Sequence, residues 1–99
     1  MKVIWSPLAI RRSYEAADYI ARDKPEAALR WLDGLFASTD RLVKFPESGR
    51  MVPEIGLPEY REIIYGSHRV IYRIEPAAVW VLTVRHSKQL FDATEITEE

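Results

Sequence analysis

Apolar positions change period twice along the chain. A short apolar run, Val3-Ile4-Trp5, opens it and is followed by Ser6-Pro7. Serine accepts a hydrogen bond from an orphan helix N–H, and proline suits the first helical position, so a helix is expected to start near Pro7. Ile10, Tyr14, Ala17 and Ile20 then recur at spacings of three and four, giving one apolar stripe. Asp23-Lys24-Pro25-Glu26 interrupts the pattern and reads as a capping box with an acid in place of Ser or Thr. A second helix is expected from about Pro25 to Lys44. Its wide stripe comprises Ala28, Trp31, Leu32, Leu35, Phe36, Thr39, Leu42 and Val43. Gly34 weakens that helix by about 1 kcal/mol relative to alanine, and would let another backbone approach closely. The short link between the helices implies an antiparallel hairpin.

Residues 46–59 hold three of the six prolines and two of the four glycines, and read as a loop rather than a strand. From Tyr60 the period becomes two. Runs from Tyr60 to Tyr65, His68 to Glu75 and Ala78 to about Arg85 are separated by Gly66-Ser67 and Pro76-Ala77, each a hairpin-length gap. An antiparallel three-stranded meander follows, joined by the strand Val3 to Trp5. The fold class is α+β, a single domain with helices on one face of a small sheet and an acidic tail over residues 87–99.

Strand alternation sorts the side chains into two faces. With two-residue turns, Ile63, Tyr65, Val70, Tyr72, Ile74, Val79 and Val81 share the face assigned to the helices, with Arg61, His68 and Arg85 at its ends. The other face carries Tyr60, Glu62, Ile64, Arg69, Ile71, Arg73, Trp80, Leu82, Val84 and His86. A helix hairpin covers one face only, so this second face is expected to meet water, a partner or a ligand. Its mixture of Arg, Trp and Tyr has the composition of a recognition surface. The same residues also suit internal pairing: Glu62 with Arg73 or Arg69, and Trp80 stacked over Arg73.

Composition narrows the chemistry. At 99 residues and 47% apolar the chain supports one modest core. Without cysteine it has no disulfide, thiolate metal site or cysteine nucleophile. His68 and His86 are far apart in sequence and lack ligand-spaced partners, so neither a metal site nor a cofactor is expected. Net charge is -1, unlike a strongly basic nucleic-acid binder. Residues 1–86 carry thirteen Lys/Arg against eleven Asp/Glu, whereas residues 87–99 carry Lys88 against Asp92, Glu95, Glu98 and Glu99. No signal-peptide pattern or long apolar run is present, which gives a cytoplasmic, membrane-independent protein as the expectation.

The order Trp5-Ser6-Pro7, a helix hairpin, Phe45-Pro46, Gly49-Arg50, Tyr60-Arg61-Glu62, then His68-Arg69-Val70-Ile71-Tyr72-Arg73-Ile74 and a last strand ending Val84-Arg85-His86 resembles the RelE/ParE superfamily of bacterial type II toxins. The resemblance spans nearly the whole chain. It implies a two-helix hairpin on a small twisted sheet, neutralisation by a cognate antitoxin protein, and DNA contact only through that antitoxin. Two activities are known in the superfamily. RelE-like members cleave messenger RNA on the ribosome, and ParE-like members inhibit DNA gyrase.

Cleavage needs groups that polarise the 2′-hydroxyl, stabilise the phosphorane and protonate the leaving oxygen. On the nuclease branch, Arg69, Arg73, His86 and Glu62 (or Glu59) would fill those roles. Glu62 and Tyr60 stand where RelE proper places lysines, no tyrosine follows Tyr72, and the tail is acidic, all of which turn the reading toward ParE. On that branch Arg69, Arg73, Trp80, Arg85 and His86 are candidates for target binding. Arg11, Arg12, Tyr60 and Arg61 are candidates for antitoxin binding. Residues Arg85 to Phe91 are the segment expected to matter for gyrase. An inactive antitoxin-binding scaffold is the third alternative.

Overall fold

A computed structural model describes residues 1–89 and Ile96. In chain order the elements are strand β1 (Lys2–Trp5), helix α1 (Pro7–Ala21), helix α2 (Pro25–Ala37), two 3-10 turns (Asp40–Val43 and Pro46–Ser48), and strands β2 (Arg50–Met51), β3 (Tyr60–Tyr65), β4 (His68–Ile74) and β5 (Ala78–His86). The strands form one five-stranded sheet in the order β1-β5-β4-β3-β2. β1 runs parallel to β5, and the remaining pairs are antiparallel.

Ser6 does two jobs at the start of α1. Its Oγ accepts from the Ala9 amide at 3.0 Å, capping the helix, and donates to the Leu82 carbonyl at 2.9 Å. Pro7 occupies the first helical turn, as expected. The inner face of α1 is Ala9, Ser13 and Ala17, whereas Ile10 and Tyr14 of the expected stripe are 40% and 52% exposed. Small residues let the helix lie close to its neighbours, and the larger apolar ones are turned outward. The Ser13 hydroxyl is satisfied by the Ala9 carbonyl at 2.8 Å.

The start of α2 differs from the expected capping box. Lys24 is the N-cap, and no side chain caps the helix. α2 also ends at Ala37 rather than near Lys44. The Ser38 and Thr39 hydroxyls donate back to the Leu35 and Phe36 carbonyls at 2.5 and 2.9 Å, competing with helix continuation. The chain then tightens into a 3-10 turn that still buries Leu42. The close approach at Gly34 comes from a side chain, not from a backbone. A Cβ there would collide with the Tyr65 hydroxyl, which donates to the Trp31 carbonyl at 2.9 Å.

The main core lies between the helices and the sheet. Leu32, Leu35, Leu42, Ile63, Val70, Tyr72, Val79, Val81 and Val84 belong to it, and Trp5, Trp31 and Phe36 pack against it. Each large side chain buried there contributes about 1.5–3 kcal/mol. The hairpins follow the expected registers except at one point. Ile71 faces Thr83 and Tyr72 faces Val81, so Leu82 is an extra residue in β5. This β-bulge reverses the alternation beyond it. Val84 therefore faces the helices along with Val81, and His86 and Arg85 exchange the faces expected for them. The Leu82 carbonyl freed at the bulge is the one Ser6 captures.

The second sheet face is largely covered rather than open, with Ile64 left exposed. Val52, Ile71, Leu82 and Ile96 are fully buried there, with Ile55, Tyr60 and Trp80 packed around them. The segment expected to be a plain loop supplies much of this cover. Its residues Arg50 and Met51 pair with Glu62 and Arg61, adding a short edge strand. The acidic tail, apart from residues 87–89 and Ile96, lies outside the described residues.

Candidate functional site

Four charged residues, Arg50, Glu54, Glu62 and Arg69, form one network on the second face. Glu62, on the buried side of β3, is 1% exposed and is held from both sides. Arg50 Nε donates to one carboxylate oxygen at 2.5 Å, and Arg69 Nε donates to the other at 2.7 Å. Arg69 sits across the β3–β4 hairpin and is also buried. The rest of its guanidinium reaches Glu54 in the cover loop through two parallel bonds of 2.8 Å. A planar fork between two carboxylates is the geometry arginine provides and lysine does not. These bonds hold the Glu54 carboxyl below its usual range, Arg69 supplying the main effect. The same contacts keep Arg69 charged well above any accessible pH.

A tyrosine staples the loop on the opposite face. The Tyr72 hydroxyl donates to the Pro46 carbonyl at 2.7 Å and accepts from the Gly49 amide at 3.0 Å. Burial pushes its ionisation upward. A Cβ at Gly49 would lie 2.5 Å from the Glu62 carbonyl and 2.6 Å from the Tyr72 hydroxyl, so only glycine fits. Arg61 adds bonds to the Pro58 and Gly49 carbonyls at 2.9 and 3.1 Å. The Pro46-x-x-Gly49-Arg50 pattern is thus a loop anchor. Gly49 allows the approach, and Arg50 delivers the charge to Glu62.

The remaining candidates are distributed differently from the sequence expectation. Arg73 pairs with Glu75 at 2.8 Å, not with Glu62. Burial opposes its charge, but bonds with Tyr60 and Glu75 raise its ionisation overall. Trp80 faces Arg73 in register and packs into the second core. The cation–ring contact between described residues is Arg22 over Tyr19, 5.8 Å from the centroid. Tyr60 and Arg61 are half-buried and bound into the loop, whereas Arg11 is exposed and Arg12 pairs with Glu15 at 3.0 Å. Arg85 lies opposite Arg69, half-buried. Glu59 is exposed in the loop before β3.

His86 is on the helix side, away from Arg69. It stands directly across from His68, with ring centroids 5.2 Å apart, and the Trp31 ring is 5.1 Å from that of His68. Burial holds His68 below its ordinary ionisation range, and His86 adds to the effect. These rings line an open cleft of about 980 Å³ between the end of the sheet and α1, together with Arg12, Glu15 and Tyr19.

Glu54, Val52, Ile55 and Ile96 complete the second face, and no sequence argument above singled them out. Val52 and Ile55, spaced by three in a polar loop, were the available signal. Among the described residues no helix is long and apolar enough to cross a membrane.

A helix hairpin against one face of a twisted five-stranded sheet, with a loop pinned over the other, defines a toxin-fold domain of the kind found in type II toxin–antitoxin pairs. Residues 3–91 match the family described as ParE toxin of the type II toxin–antitoxin system parDE, and the chain belongs to that family. A curated relative, "Putative toxin Y4kP" from Sinorhizobium fredii, is 32% identical over 90 residues, which cover 89% of this chain and 90% of the relative. A solved chain titled "Chromosomal ParDE TA system from P. aeruginosa" shares the fold with a TM-score of 0.75. It is 17% identical, and the match covers 87% of this chain and 95% of that one.

Proposed function

We infer that this ParE-family toxin acts in the cytoplasm by binding its target, that the target is DNA gyrase, and that a cognate antitoxin neutralises it. The observation that carries the non-nuclease reading is the separation of the would-be catalytic group. Arg69 and Glu62 are consumed in a buried ion network on one face, and His86 lies on the other. A general acid must reach the same scissile bond as the groups that stabilise the phosphorane. A sheet between them prevents that, and both buried charges would have to give up their partners to meet a phosphate.

The antitoxin surface we favour is the outer side of α1. Ile10 and Tyr14 are exposed one turn apart beside Arg11, offering an apolar strip with a cationic border. An amphipathic, acidic antitoxin helix suits it. Arg69 and Arg73, candidates for target binding, are engaged in internal ion pairs.

A supercoiling assay with purified toxin, run beside a ribosome-dependent messenger cleavage assay, tests the reading. Inhibited supercoiling with intact messenger is expected. Messenger cleavage with unaffected gyrase would overturn it in favour of a ribosome-dependent endonuclease, and silence in both would favour a different target or an inactive antitoxin-binding scaffold. Deleting residues 87–99 is a poor probe of the tail, because it also removes Ile96 from the second core. Substitutions at Arg85 and Lys88 are cleaner.

A further inference from the structure

We propose that His68 and His86 form a two-nitrogen site for a divalent transition metal of the zinc, nickel or copper class. The bulge at Leu82 turns His86 to the helix side of the sheet, where His68 already lies. The Ser87 amide donates to the Ser67 carbonyl at 2.7 Å, which makes His68 and His86 a non-hydrogen-bonded cross-strand pair. That is the pair type in which facing side chains come closest.

The separation of the rings is the one a shared ion requires. With a metal–nitrogen distance of about 2.0–2.1 Å, and a ring nitrogen about 1.1–1.2 Å from the ring centre, each centroid lies about 3.2 Å from the metal. A tetrahedral angle between two such ligands puts the centroids about 5.2 Å apart, and imidazole is a favoured ligand for these ions. The observed separation is 5.2 Å, with the ring planes 76° apart.

A second observation concerns the donors. His68 Nδ1 is buried and has no hydrogen-bond partner among the described residues. Such an atom is uncommon in a folded protein, and an ion is one of the partners that resolves it. His86 Nδ1 presents a lone pair, which now takes the exposed Lys88 amide at 3.1 Å. A metal would replace that amide, which can turn to water. Among the described residues no cluster of three or more His, Cys, Asp or Glu is placed to hold an ion, so water from the open cleft completes the coordination. The site rests on strand register, the ring separation and the unpartnered His68 Nδ1, and stands whether or not gyrase is the target.

Tag-free protein titrated with zinc chloride by calorimetry should bind one equivalent. His86→Phe keeps a ring against His68 and removes the nitrogen, and should weaken binding at least about tenfold. His68→Phe should do the same. Copper(II) should quench the emission of Trp31, whose ring lies against His68, and Trp31→Phe should remove the quenched component. No binding by the wild type, or equal binding by wild type and both histidine variants, would overturn the proposal.

Discussion

The two faces of the sheet are covered by different physics. On the helix side, cover comes from two regular elements that bury aliphatic and aromatic side chains against β4 and β5. On the other side it comes from an irregular segment, held by a small apolar cluster and by the Arg50–Glu62–Arg69–Glu54 network. Apolar packing is non-directional and tolerates imperfect shape. A buried ion network is directional, and each charge depends on its partners. The helix face therefore contributes stability through many interchangeable apolar contacts. The loop face sets which groups remain available for function, and it leaves Arg69 and Glu62 unavailable.

Substitutions can break this comparison. The largest effect is expected from Glu62→Ala, which leaves Arg69 and Arg50 without their shared carboxylate and should cost about 3–5 kcal/mol in denaturant unfolding. Replacing the pair together, Glu62→Met with Arg69→Met, should restore much of that loss, because no uncompensated buried charge remains. A double variant as unstable as Glu62→Ala would show that the face depends on something other than charge pairing. Leu35→Ala, on the helix side, should cost about 2–5 kcal/mol without a rescuing partner. Tyr72→Phe comes next. It strips a buried donor and acceptor from the Pro46 and Gly49 backbone and should cost about 1–3 kcal/mol, with faster hydrogen exchange at the Gly49 amide.

Acid sharpens the same contrast. Because Arg69 lowers the Glu54 ionisation below 4.5 in the folded state, the stabilising contribution is complete above about pH 4.5. It is lost as pH falls through the folded value. Glu54→Gln should flatten the acid limb of a stability–pH curve, and Leu35→Ala should lower that curve without changing its slope. The smallest effect is expected from Arg12→Ala. Its pair with Glu15 is exposed on α1, and thermal unfolding should register a loss below about 0.5 kcal/mol.

Much of the fold was legible in the chain because local rules agreed with tertiary ones. Ser6-Pro7 favours a helix start on local grounds, and Gly66, at φ 57°, supplies the conformation its hairpin turn requires. The three long strands alternate as half-buried strands do. Failures came where a contact from elsewhere decided the matter. The Ile10–Tyr14 stripe has helical spacing, yet close packing selected the neighbouring row of small residues. The loop over residues 46–59 has loop composition, yet its backbone pairs with β3 because Tyr72, Arg61 and Glu62 hold it there. The candidate site was legible as residue types but not as an arrangement. Arg69 with Glu62 was one of two pairings available, and Glu54 carried no local signal.

By itself, the sequence determined the class of the domain, its helix hairpin and the three-stranded meander, since these follow from period, turn chemistry and short-range spacing, and the ParE-family motifs were legible in it as a resemblance. Tertiary structure alone decided the facing of the last strand. One extra residue at Leu82, its freed carbonyl taken by the Ser6 hydroxyl, turns Val84 and His86 to the helix side and Arg85 away from it. Alternation along a strand is a local rule, but a bulge is fixed by what the partner strand and the neighbouring helix start will pair with. That single shift parts His86 from Arg69 and places it against His68.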